Sequence, residues 1–208
     1  GLFWLQILCG SLAVFIFINV KSTYPSNPGT NALAVLSFSF MLCTFSAAVY
    51  STRNLIIDGH LLHALSMLNH TGAMLFSAGI TALLWNYPKM VTKSYAISAI
   101  AFSTVAINIV VDGLQLAQSP ATGSYTWTFA LFAFGLTGAV VQWWLTRKDA
   151  SNKAAVRWLL LAALAGTAFL ATSILLPVLS SKPTLAPQGL LFVGFLIMYA
   201  CFALGVVN

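Results

Sequence analysis

The stretch QGLLFVGFLIMYACFALGVV, residues Gln188–Val207, runs for twenty positions without a charged side chain. As a helix rising about 1.5 Å per residue it spans about 30 Å, the thickness of a bilayer's hydrocarbon core. Six further apolar runs of similar length precede it: Phe3–Val20, Asn31–Tyr50, Leu61–Trp85, Ser94–Leu116, Thr126–Leu145 and Trp158–Leu179. Polar segments with Pro and Gly separate several of them, such as Asn86-Tyr-Pro-Lys and Ser180-Ser-Lys-Pro, and these residues punctuate helix ends. The strict alternation of a membrane barrel strand is absent. Helices satisfy their own backbone hydrogen bonds in lipid. The sequence therefore predicts an all-α integral membrane protein, a seven-transmembrane-helix bundle forming a single transmembrane domain over residues 1–208.

Composition excludes a water-soluble alternative. Charged residues make up 6% of the 208, none of them glutamate, against 60% hydrophobic residues and a mean hydropathy of +0.92. Soluble domains carry about 25% charged residues. The net charge of +6 belongs mostly to the connections between runs, which points to anionic lipid and not to nucleic acid. Cys9, Cys43 and Cys201 all lie in apolar runs without paired spacing, as small core residues do.

The basic residues predict an orientation. Connections after the first, third and fifth runs carry Lys21, Lys89, Lys93, Arg147, Lys148, Lys153 and Arg157; those after the second, fourth and sixth carry only Arg53 and Lys182. Seven against two places the former in the cytoplasm, with the N-terminus outside and the C-terminus cytoplasmic. A cell or inner membrane is the expected location. The chain stops at Asn208 without a basic anchor, so a continuation into the cytoplasm is expected.

The third run is unusual because it carries all three histidines. His60, His63, Met67, His70, Met74, Ser77 and Thr81 step by three and four, and so form one helix face. In the fourth run Thr104, Asn108, Asp112 and Gln115 also share a face. Ionisable groups within a span avoid lipid and seek partners or water. Antiparallel runs would set His60, His63 and Asp112 at similar depth near the outer surface. The expected site is thus a polar pocket between helices three and four, with His63 and Asp112 central and His60, Asn108, Gln115 and His70 around them.

Three chemistries fit that pattern. The side chains could simply hydrogen-bond between helices and fix packing. They could line a ligand or proton-sensing pocket, since imidazole titrates near neutral pH. His60, His63 and Asp112 could also ligate a metal ion, and a haem held by Met or by a single ligand is the weaker form of that reading. No H-E-x-x-H, G-x-S-x-G or phosphate-binding glycine loop occurs, so no catalytic motif is visible. A retinal protein would need a lysine in the last helix, which has none. The expected function is a binding or sensing module coupled to a cytoplasmic effector region. The alternative is a membrane subunit of a larger complex, redox chemistry included, holding a metal, quinone or lipid.

Overall fold

A computed structural model describes residues 1–50, 57–91, 93–114, 116, 124–172 and 188–208. Seven helices among them are long and apolar enough to cross a membrane. They are α1 (Leu2–Thr23), α2 (Gly29–Tyr50), α3 (Gly59–Asn86), α4 (Ser94–Gly113), α5 (Ser124–Thr146), α6 (Lys153–Leu170) and α7 (Gln188–Val207). No strand occurs among the described residues. The chain is an integral membrane protein of seven apolar helices.

Most helices match the apolar runs to within a turn. Two ends differ. The helix α6 begins at Lys153, five residues before the expected Trp158, because Lys153 and Arg157 lie exposed on its first turns and belong to the helix. Their long stems let the charge stay wet while the backbone coils. The helix α4 stops at Gly113, with Leu114 closing it through a hydrogen bond to the Val110 carbonyl. The expected continuation of α6 over 173–179 and the position of Gln115 in α4 both lie outside the described residues.

Helix α3 occupies the middle. It packs against α2, α4 and α5, while α1 joins α2 to α7, and α6 joins α7 to α5. Six helices thus form a ring, and α4 rides outside it, mainly on α3. Ser94, Ala101, Val105 and Asn108 make the buried stripe of α4, and Ala101 and Val105 pack with Met74, Ala78 and Leu131. From Met74, burial in α3 includes every residue from Phe76 to Leu84, as befits a helix surrounded on all sides. Trp4, Phe15, Ile100, Ile107, Val140 and Leu164 are exposed, forming the apolar outer surface that lipid would cover.

Polar clasps close one end of the bundle. Asn27, after α1, donates to the Val206 carbonyl of α7 at 2.7 Å, and the Tyr87 hydroxyl donates to the same oxygen at 3.1 Å. The buried Gln142 amide of α5 grips the Lys89 backbone, donating to its carbonyl at 2.5 Å and accepting from its N–H at 3.3 Å. The Lys89 ammonium then meets Asp149 at 2.7 Å. The α1–α2, α3–α4 and α5–α6 connections therefore share one end, together with all seven of the basic residues assigned to them. Lys89, helped by Ser151 and Asn152, holds the Asp149 carboxyl well below the usual carboxylate range. A lowered carboxyl stabilises the fold above the unfolded value of about 3.9 and loses that effect only as pH falls through the folded value. Asp149 is accordingly ionised throughout the neutral range.

Among the described glycines, the closest approach to a neighbouring helix's backbone is at Gly72, where α3 meets α2. A Cβ there would lie 2.8 Å from both the Cys43 nitrogen and the Ser39 carbonyl oxygen, which are backbone atoms. Gly59, in contrast, has open space around it. Gly72→Ala is expected to cost about 1–3 kcal/mol by overpacking. Thermal unfolding in detergent should show a lowered Tm for Gly72→Ala and none of that loss for Gly59→Ala; equal Tm values would contradict this packing.

Candidate functional site

The two polar stripes do meet, at a different register from the one expected. His70 Nδ1 lies 3.6 Å from Asp112 Oδ2, and both side chains are largely shielded, at 13% and 15% exposure. The helix lengths explain the pairing. The 28 residues of α3 extend for about 42 Å, beyond the hydrocarbon thickness. Helix α4 ends at Gly113, where the Met67 methyl group of α3 stands 3.4 Å from a notional Cβ. Seven residues earlier than His70, His63 sits about 10 Å further along the axis, past the end of α4. His63 and His60 are exposed there, and Asp58 caps the helix by accepting from the His60 backbone N–H at 3.2 Å.

The remaining candidates separate. Asn108 is buried on the inner face of α4, yet its amide donates to the Thr104 carbonyl of its own helix at 2.9 Å. Gln115 lies outside the described residues. Among the described residues no three His, Cys, Asp or Glu side chains gather closely enough to hold a metal ion. His60, His63 and Asp112 are thus not brought into one ligand set.

A cavity of about 410 Å³ lies on the opposite side of this pairing, inside the ring of six helices. It falls within the size range of small-molecule sites, roughly 300–1,000 Å³. Phe40, Phe76, Phe129, Phe132, Phe192 and Phe195 supply six rings to its wall. Its lining comes from the start of α1, the later half of α2, the middle of α3, the start of α5, the end of α6 and the start of α7. Because the helices alternate in direction, all these segments lie in the half of the bundle remote from the basic end. None of the lining belongs to α4.

Polar groups reach the cavity from several helices: Gln6, Asn69, Ser77 and Thr128, with Tyr50 and Tyr125. Asn69 is oriented by α2, its Nδ2 donating to the Cys43 carbonyl at 2.9 Å and to Cys43 Sγ at 3.1 Å. Tyr125 connects the cavity to the ion pair. Its ring packs edge-to-face on His70 with centroids 5.3 Å apart. An apolar chamber with uncharged hydrogen-bonding groups thus has a His–Asp pair immediately behind one wall. Such a chamber can bind and orient a small molecule; among the described residues no nucleophile beside a base lines it.

Sequence reading identified His70 and Asp112 but missed the cavity. Its phenylalanines lie on α2, α3, α5 and α7, and each pair within a helix, such as Phe192 with Phe195, resembles ordinary core spacing. The only local signal was the polar Gln6, Asn69 and Thr128 inside otherwise apolar runs. Comparison with protein-family models, with curated proteins and with solved structures finds no match to this chain.

The ion pair has a direct thermodynamic test. Interhelical polar pairs in membrane proteins couple by about 0.6 kcal/mol on average and up to about 1.7. A double-mutant cycle of His70→Ala with Asp112→Asn should show coupling of this order in detergent unfolding. The matching cycle of His63→Ala with Asp112→Asn should show none; coupling at His63 instead would contradict the pairing.

Proposed function

We propose that this protein is a membrane binding and sensing module whose site is the aromatic cavity, with the Tyr125–His70–Asp112 cluster at its flank. The observation that carries this reading is the cavity itself. Protein interiors are close-packed, and voids much larger than a water molecule are few. A chamber of about 410 Å³ that also gathers polar groups from α1, α2, α3 and α5 has the form of a small-molecule site.

Sensing would run along α3. This helix lines the cavity with Asn69, Ala73, Phe76 and Ser77 and ends beside Tyr87, whose hydroxyl holds Val206. A ligand that moves α3 would therefore act on the clasped end of the bundle. We assign that end to the cytoplasm, with the N-terminus outside, because Arg147, Lys148, Lys153 and Arg157 are exposed there. An impermeant thiol reagent should label a Lys148→Cys variant only in opened cells; labelling of intact cells would reverse the assignment.

Ligand binding is tested by adding an organic extract of the source membranes to delipidated protein. A ligand at about 100 times its Kd stabilises the folded state by about 2.7 kcal/mol. The Tm of the wild type should rise by several degrees. Ala73→Trp, which fills the chamber, should abolish that rise while retaining its helical spectrum. A rise of equal size in the filled variant would sink the proposal.

A further inference from the structure

Resting on the cavity as the binding site, we infer that its occupant is a neutral alcohol or phenol with a flat, apolar body. Three observations specify that chemistry. First, among the described residues no lining side chain is an acid, a lysine, an arginine or a histidine. A charged ligand would leave water without a countercharge, which is costly in an apolar chamber. Second, the wall carries six phenylalanines and two tyrosines, and aromatic rings pack best on flat partners, edge-to-face or offset.

Third, Asn69 gives the hydrogen bonding a direction. Its Nδ2 is committed to the carbonyl and sulfur of Cys43. The Oδ1 is therefore the group that Asn69 offers, and an amide oxygen only accepts. The ligand must bring the proton. Ser77 and Tyr125 can donate or accept, so they adapt to whichever oxygen the ligand presents. An ether or ketone would leave the Asn69 oxygen unsatisfied, and a carboxylate would set negative charge against it.

Three probes of one shape separate these cases: 6-hexyl-2-naphthol, its methyl ether, and 6-hexyl-2-naphthoic acid at pH 8. Binding is measured by equilibrium dialysis against protein in nanodiscs, and the uptake of empty nanodiscs is subtracted. The naphthol should bind about 5- to 10-fold more tightly than the ether, the worth of one net hydrogen bond. The ionised acid should show no uptake above empty nanodiscs. In Asn69→Leu the naphthol should weaken to the level of the ether, and the ether should be unaffected. Should that variant not fold, the wild-type ranking of the three probes decides alone. Ether binding equal to the naphthol, or acid binding tightest, overturns the neutral-donor inference and leaves the cavity as a site. Absence of specific uptake for all three probes overturns the cavity reading as well.

Discussion

A helix carrying three histidines, two asparagines and several hydroxyl side chains cannot face hydrocarbon along its length. This constraint places α3 at the centre of the molecule, against α2, α4 and α5. Its polar groups are then met from the side: Asn69 by Cys43, His70 by Asp112 and Tyr125, and Thr81 by the Leu131 carbonyl at 2.8 Å. Where α3 outruns its neighbours, His60 and His63 emerge into the open. The helix also sets the order of the others, because α4 serves mainly to cover the face bearing Met74 and Ala78.

The same arrangement produces the cavity. Toward the basic end α5 approaches α3 closely, at Gly135 beside Thr81 and at Gly138 beside Trp85. The Trp85 indole donates to the Phe134 carbonyl at 3.2 Å and stacks on the Phe134 ring, and Gln142 ties down the following connection. At the other end the first turns of α5 carry Tyr125, Thr128 and Phe129. Bulky rings there hold the helices apart, and the chamber opens between them. One end of the bundle is clasped and tightly packed; the other is spacious and aromatic.

Seven helices could be read because hydropathy and length act along one segment at a time. The segment of α6 that was misjudged is instructive: Lys153 and Arg157 resembled a loop, yet both lie in its first turns. The register between helices was harder. Depth was counted from the start of α3, and its overhang beyond α4 moved Asp112 from His63 to His70. The cavity was hardest of all, since Phe40, Phe76, Phe129 and Phe195 converge only in three dimensions. Spacing within a helix says which residues share a face, and it is silent on which faces meet.

Whether the chamber holds a small molecule can be read by native mass spectrometry of protein released from its own membrane in mild detergent. A single uncharged adduct is expected at one copy per chain, retained in His63→Ala and lost in a Phe129→Trp variant that narrows the chamber. Bare protein, or adducts of many masses that persist when the chamber is narrowed, would contradict it.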